Sequence, residues 1–252
     1  MNWSFQLYSA RNHLPWSDVL ALLAHLGYTQ VEGFGGVYDD PAGLRREMNH
    51  NGLTMPSGHF SIEALEGDFD GVRRIADTLG IRLLICPFLM PESRPADAAG
   101  WRDFGARLAA IGEKAKSGGY HFAWHNHDFE FKALDDGSIP QRLILDAAPS
   151  ICMELDVAWI IRGGDDPLRW ITDYADRIRA VHVKDIAPEG QNTDEDGWAD
   201  VGHGTVGWQT LLKELRLKTP ATVYAMEHDN PSDLERFARR SIEAVQAYQE
   251  VR

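Results

Sequence analysis

The chain has 252 residues, with 38 acidic against 25 basic side chains and a formal net charge of −13 at pH 7. This length suits one large α/β domain, so we expect residues 1–252 to form a single domain. The negative charge argues against tight binding to nucleic acid or to anionic lipid, because an acidic surface repels both. It favours a small neutral or lightly charged ligand.

The N-terminal residues lack the basic segment and following apolar run of a secretory signal. No apolar stretch approaches the ~20 residues that a membrane-spanning helix needs. We therefore expect a soluble cytoplasmic protein without membrane contact.

Short apolar runs alternate with helical periodicity along the chain. The strand-like runs cover residues 5–8, 30–34, 55–60, 82–88, 120–125, 151–157, 180–183 and 222–226. Apolar residues recur at intervals of three and four between them, over residues 16–26, 44–51, 71–79, 101–117, 140–147, 168–174, 209–215 and 234–250. Parallel strands need a long crossover, which a helix provides, so this alternation predicts a parallel sheet.

Eight strand-helix pairs in one domain favour a closed (β/α)₈ TIM barrel of the α/β class. The competing architecture is a doubly wound sheet, which normally carries its ligand on a glycine-rich turn after the first strand. Here that turn reads SARNHLPW and contains no glycine. The remaining irregular stretch, residues 187–208, is either a lid over a site or a solvated loop.

Four strand-like runs in the second half end with side chains that can hold a metal or move a proton. These side chains are His125, His127, Glu154, Asp156, His182, Lys184 and Glu227. Residues two apart share one face of a strand, and the strand ends of a parallel barrel meet at its catalytic mouth. We therefore expect these groups to lie close together.

A lone histidine or glutamate at a strand end is more often a hydrogen-bonded structural residue than a ligand. Four convergent donors change that balance. We predict that one divalent first-row metal is held by His125, Asp156, His182 and Glu227. Glu154 is either a rival ligand or a partner that orients an imidazole.

Several motifs together resemble those of the sugar phosphate isomerase/epimerase family, which has a xylose isomerase-like TIM barrel and is related to endonuclease IV. They are HNHDFEF, LDVAW followed by GGDDP, HVKD, the GHG at 202–204 that leads to Trp208, and ME at 226–227. The resemblance covers essentially the whole chain. It implies one divalent ion, most often manganese, with cobalt, magnesium and zinc as alternatives.

In that family the ion is held by a glutamate, an aspartate, a histidine and a second glutamate. By resemblance the last three match Asp156, His182 and Glu227, whereas His125 stands where the first glutamate would be. The family's epimerases use their two glutamates to remove and return a proton on opposite faces of the substrate. The histidine at this position leaves two hypotheses open.

In the first hypothesis His125 or His127 exchanges protons opposite Glu227, and the protein is a sugar isomerase or epimerase acting next to a keto or aldehyde carbon through an enediolate. In the second it is a lyase or dehydratase that expels a leaving group from a 3-keto glycoside or keto polyol. An abasic-site endonuclease and a barrel that binds sugars without turnover are less favoured.

Further residues are assigned to the substrate. Lys184 either stabilises a substrate oxygen or pairs with Asp156 or Glu154, while His59 and Glu32 are predicted to bind hydroxyl groups. Trp159 is predicted to form a hydrophobic wall. The partner is then a small sugar or keto sugar, and exposed barrel helices would also allow a homo-oligomer.

Overall fold

Eight parallel strands close into a barrel, which confirms the predicted (β/α)₈ TIM barrel. The computed structural model describes residues 2–250, without the side chains of residues 249 and 250. The barrel strands are β1 Ser4–Gln6, β2 Gln30–Gly33, β3 Thr54–His59, β4 Leu83–Cys86, β5 His121–His125, β6 Cys152–Asp156, β7 Ile178–Val183 and β10 Val223–Met226. An antiparallel pair, β8 Asp185–Ile186 and β9 Trp198–Ala199, lies in the loop after β7. The order around the barrel is β1-β10-β7-β6-β5-β4-β3-β2.

Helices follow the strands and cover the outside of the barrel. They are α1 Trp16–Leu26, α2 Pro41–His50, α3 Ile62–Gly67, α4 Phe69–Leu79, α5 Ala98–Ser117, α6 Pro140–Ala147, α7 Val157–Arg162, α8 Pro167–Asp173, α9 Trp208–Lys218 and α10 Leu234–Glu250. Two short helices, α3 and α7, were not predicted from the sequence. None of the helices within residues 2–250 is long and apolar enough to cross a membrane.

Three helices begin with the same Asp-x-x-Gly pattern. The carboxylates of Asp40, Asp68 and Asp97 accept hydrogen bonds from the N–H groups three residues later, which starts α2, α4 and α5. An aspartate at this position satisfies a backbone donor that the helix itself leaves free. These caps fix where three of the crossovers leave the barrel rim.

Strand residues alternate between two environments. Leu84, Cys86 and Trp124 face outward into the large core shared with the helices. Leu83, Ile85, Ala123, Ala180 and Val223 face inward and form a separate small apolar cluster. This alternation places every second residue of a strand inside the barrel, so the polar residues at inward positions near the strand ends can meet there.

The segment 187–208 is neither structureless nor fully solvated. The carboxylate of Asp185 accepts hydrogen bonds from the backbone N–H groups of Gly202, Gly204 and Val206, and Trp198 is only 1 % exposed. Three backbone donors on one carboxylate hold the returning part of the loop against β8. The loop is therefore an ordered, partly buried segment next to the barrel mouth.

We expect Gly204→Ala to destabilise the protein. A Cβ at this position would lie 2.3 Å from Asp185 Oδ1 and 2.4 Å from the carbonyl oxygen of Ile186, so the loop would have to move away. Such overpacking typically costs about 1–3 kcal/mol, measurable as a lower midpoint of thermal unfolding. Gly67→Ala is the matched control, because a Cβ there meets nothing within 4 Å. Equal midpoints for the two variants would contradict this reading of the loop.

Candidate metal centre

Three side chains from neighbouring strands aim donor atoms at one point. They are Asp156 from β6, His182 from β7 and Glu227 directly after β10, and one donor atom of each lies within 4.8 Å of the other two. His182 Nδ1 is 3.4 Å from Glu227 Oε2 and 3.8 Å from Asp156 Oδ2. All three are buried and lack a hydrogen-bond partner within residues 2–250. We call these residues the donor triad.

Buried polar atoms without hydrogen bonds are costly, and a cation bound between these three would satisfy all of them. An imidazole nitrogen with two carboxylate oxygens is a donor set that suits divalent first-row metals. The donor triad therefore fits a metal ion on its own geometry. It contains three of the four ligands predicted from the sequence.

Asp156 is held in place by two local features. Its Oδ1 accepts the N–H of Trp159 at 2.9 Å and caps α7, which leaves Oδ2 for the triad. The apolar run predicts a strand as far as residue 157, whereas the cap turns the chain into a helix directly after Asp156. The side chain of Asn126 also bonds both backbone groups of Asp156, at 3.0 and 3.1 Å. Asn126 was not singled out from the sequence.

Replacing Asn126 with alanine should weaken metal binding. Asn126 is fully buried, and its loss leaves the N–H and C=O of Asp156 without partners, at a cost of about 1–3 kcal/mol. Loss of an orienting group of this kind typically reduces metal affinity about 10- to 100-fold. Titration with manganese measures the affinity, and Asn51→Ala serves as control, since Asn51 bonds only a carbonyl of α2. Unchanged manganese affinity would show that the hydrogen bonds from Asn126 are not needed to position Asp156.

A second group of donors adjoins the triad and shares His182 with it. Glu154 Oε2 lies 2.7 Å from His59 Nε2, 3.0 Å from His125 Nδ1 and 3.3 Å from His182 Nε2. His125 therefore faces Glu154 and belongs to this second group, not to the triad. Glu154 Oε1 has no hydrogen-bond partner in the described chain. Both candidates for a fourth ligand, His125 and Glu154, thus lie together.

Glu32 lies in a polar layer inside the barrel. Its carboxylate accepts hydrogen bonds from Gln6 Nε2 at 2.8 Å and from the hydroxyl of Ser57, and it contacts His182 Nε2 at 2.7 Å. The side chain is fully buried, and its oxygens are already engaged. Glu32 therefore orients the ring of His182 through the contact with Nε2. Gln6 and Ser57 were missed in the sequence, although both occupy inward positions of their strands.

Burial and the neighbouring charges shift the pKa values of the groups in both clusters. Burial disfavours a charged His182, but Glu154 and Glu32 outweigh burial and raise its pKa well above the usual value. Burial, together with the charge on His182, lowers the pKa of His125 to about 4. Burial raises the pKa of Asp156 to about 7, against the opposing effect of Lys184. A metal at His182 Nδ1 must displace a proton, so uptake should weaken as pH falls.

Lys184 is completely buried at the edge of the triad. Its Nζ lies 2.7 Å from Asp229 Oδ2 and 3.0 Å from Glu227 Oε2, the latter outside hydrogen-bond geometry. Its ion-pair partners are thus these two carboxylates, not Asp156 or Glu154. Asp229 was missed, although it stands two residues after Glu227.

Two indole rings enclose the same ammonium group. Lys184 Nζ lies 4.0 Å from the ring centre of Trp198 and 4.8 Å from that of Trp159. Trp159 thus packs against Lys184 and His127, and it does not belong to the cavity lining described below. Trp198 comes from β9, so the loop after β7 reaches the site directly.

A cavity of about 420 Å³ opens at the barrel mouth beside the triad. Its lining residues come from the ends of β1 to β5 and β10. They are Gln6, Tyr8, Phe34, Gly35, His59, Ser61, Pro87, Phe88, His125, His127, Glu227 and Asp229. Among these described residues there is no lysine or arginine. The volume is within the roughly 300–1,000 Å³ of small-molecule sites.

His127 presents its ring to this cavity. Burial lowers its pKa well below the usual value, which keeps the imidazole neutral and able to accept a proton. Glu130 fixes the backbone, because its carboxylate accepts the N–H of His127 at 2.8 Å and the indole N–H of Trp124 at 3.1 Å. The HNHDFEF motif therefore positions a neutral histidine.

Comparison with known proteins gives consistent results. The family pattern described as "Xylose isomerase-like TIM barrel" matches residues 20–248. Among curated proteins the chain is similar to inosose dehydratase of Geobacillus kaustophilus, with 24 % identity over 197 residues, or 69 % of this chain. The match spans 63 % of the length of that relative.

Solved structures share the fold over the whole chain. A sugar phosphate isomerase/epimerase from Parabacteroides distasonis has a TM-score of 0.83 and 21 % identity, and the match covers 100 % of this chain and 95 % of that one. The IolI protein, solved with a zinc atom, has a TM-score of 0.79 and 14 % identity, with 98 % of each chain covered. At these identities the structural likeness shows the fold alone.

Proposed function

Since the chain belongs to the xylose isomerase-like TIM barrel family, we propose that it is a divalent-metal-dependent enzyme that moves a proton next to the carbonyl carbon of a small keto sugar. The leading reaction is isomerisation or epimerisation through an enediolate. The single observation that carries this proposal is the donor triad, whose three buried atoms lack hydrogen bonds in the described chain and converge beside the cavity.

Asp156, His182 and Glu227 are the residues that would hold the ion, with His125 and Glu154 as candidates for a further ligand. When bound, a divalent ion would polarise the substrate carbonyl and the neighbouring hydroxyl. Manganese is the proposed metal, and cobalt, magnesium and zinc fit the same nitrogen and oxygen donors. The zinc atom in the IolI structure supports a metal role for this fold.

The protein's own groups supply the proton chemistry. His127 and Glu227 both line the cavity, so a substrate carbon between them can lose a proton to one and regain it from the other. His127 is neutral. Burial alone would raise the pKa of Glu227, but Lys184 and His182 outweigh burial and lower it well below the usual value, so both groups are in the form that accepts a proton. Lys184 is not among the described cavity residues, so its ammonium, 3.0 Å from Glu227 Oε2, would stabilise negative charge on the substrate oxygen through space.

A dehydratase is the second candidate, because a curated relative is named inosose dehydratase. Both reactions start with the same proton removal. They differ afterwards, since an epimerase returns the proton and a dehydratase expels a hydroxyl group. Endonuclease activity is disfavoured by the net charge of −13 and by the lack of a cationic residue among the described cavity residues.

The test is proton exchange in deuterated water. Manganese-loaded protein is incubated with a panel of ketoses and keto inositols, and NMR follows the carbon next to the carbonyl. Deuterium at that carbon in an isomeric product supports an isomerase or epimerase. Appearance of an unsaturated ketone in the ultraviolet spectrum supports the dehydratase, and no reaction across the panel rejects both.

A further inference from the structure

The cavity has a polar side and an aromatic side. Only one member of the donor triad, Glu227, lines it, so most of its space extends away from the triad toward β1 to β4. On that side Tyr8, Phe34, Pro87 and Phe88 line the cavity together with Gly35 and the polar residues Gln6, His59 and Ser61. A bare sugar presents hydroxyl groups in most directions, and these four residues offer few polar partners.

The two phenylalanines stand on either side of one strand end. Phe34 follows β2 and Phe88 follows β4, and β3 lies between those strands in the barrel. Tyr8 meets Phe34 edge to face at 5.5 Å between ring centres and is itself 38 % exposed. Partly exposed aromatic rings grouped at the mouth of a cavity are typical of a surface that receives an apolar group.

Both rings are held in place by their neighbours. A Cβ on Gly36 would come within 2.6 Å of Phe34 Cε2, so this ring lies directly against the glycine backbone. Phe88 packs edge to face on His127 at 4.9 Å, and the guanidinium of Arg94 lies 5.1 Å from its ring centre. Fixed rings lose little entropy when a ligand packs on them.

We propose that the substrate is a keto sugar or keto polyol carrying a flat apolar substituent, which Tyr8, Phe34 and Phe88 receive while the ring of the sugar faces Glu227 and His127. This inference rests on the proposed function for the sugar part. The lack of a lysine or arginine in the described lining disfavours a phosphate as the substituent.

The experiment compares ligands that differ only in the substituent. Phenyl and methyl β-glycosides of 3-ketoglucose and of 3-ketogalactose are titrated into the metal-loaded protein by calorimetry. We expect the phenyl compound of at least one sugar to bind about tenfold more tightly than its methyl partner. Equal affinities, or no measurable binding of any phenyl glycoside at millimolar concentration, overturn the proposal.

Variants of the cavity residues test which side chains produce the preference for the phenyl group. Phe34→Ala and Phe88→Ala should each reduce the phenyl advantage to threefold or less, on the order of the value of one aromatic contact. Gly36→Ala should reduce it too, because the added methyl displaces the Phe34 ring without removing it. Phe69→Ala, a half-buried phenylalanine at the start of α4, is the control. An advantage that survives all three cavity variants places the apolar group elsewhere and overturns the proposal.

These results are separate from those of the exchange experiment. If no ketose exchanges deuterium but the phenyl preference depends on Phe34 and Phe88, the proposed reaction fails and the binding inference stands. If exchange occurs without any phenyl preference, the reaction stands and the substituent is rejected.

Discussion

Replacing His182 with alanine will abolish the uptake of a divalent ion and the activity that depends on it. His182 is the residue common to both donor groups, and it is completely buried. Its Nδ1 faces Asp156 and Glu227, while its Nε2 contacts Glu32 at 2.7 Å and Glu154 at 3.3 Å. Alanine removes a proposed ligand, and four buried carboxylates then repel one another without the imidazole between them.

The measurement is metal content by mass spectrometry after loading with manganese and gel filtration. We expect one equivalent in the unchanged protein and none in His182→Ala. The matched control is His121→Ala, which removes an exposed imidazole at the opposite end of β5. A His182→Ala protein that still retains one equivalent would show that the triad is not the metal site.

The fold must be monitored in the same samples. Breaking a buried charge pair by removing one partner typically costs about 3–5 kcal/mol, so the variant should also unfold at lower temperature. His182→Gln keeps a polar side chain of similar reach and lessens that loss. Circular dichroism of both variants at the temperature of the metal assay separates loss of the ligand from loss of the structure.

Lys184→Met is expected to remove turnover while leaving metal uptake intact. The ammonium group lies 3.0 Å from the carboxylate of Glu227 and 2.7 Å from that of Asp229, and two indole rings pack against it. Removing a preorganised donor to a developing oxyanion typically costs about 10²–10³ in rate. A positive charge at this distance also opposes a second cation, so the variant should bind manganese as well as the parent or better.

Turnover and manganese affinity should therefore respond differently. The rate constant at saturating ketose should fall, whereas the manganese dissociation constant should stay the same or decrease. Lys218→Met is the control, because Lys218 forms an exposed ion pair with Glu214 on α9. An unchanged rate would assign Lys184 a structural role only, and loss of the metal would mean that its charge holds the carboxylates in position.

The barrel and all three members of the donor triad could be predicted from the sequence, because both depend on local periodicity. Alternation of apolar runs and helical stripes predicts a parallel barrel, and residues at inward positions of strand ends must then meet at its mouth. Asp156, His182 and Glu227 satisfy that rule without any long-range information. Asp229 satisfies it too, and the two-residue spacing from Glu227 could have identified it.

The remaining features needed the closed barrel. Glu32 and His182 are 150 positions apart in the chain, and only closure through β1 and β10 brings them together. The pairing of His125 with Glu154 depends on the register of β5 against β6, in which these two residues are direct neighbours. Periodicity predicts which face a residue occupies but not the register of its strand.

The hairpin of β8 and β9 affects how the protein can be engineered. Residues 187–208 look replaceable in sequence, yet they deliver Trp198 to Lys184 and are tied to the barrel by Asp185. A chimera with a shorter turn grafted at this position would let water reach the ammonium group. Exchange of this loop should therefore keep Trp198 and both ends of the segment 187–208.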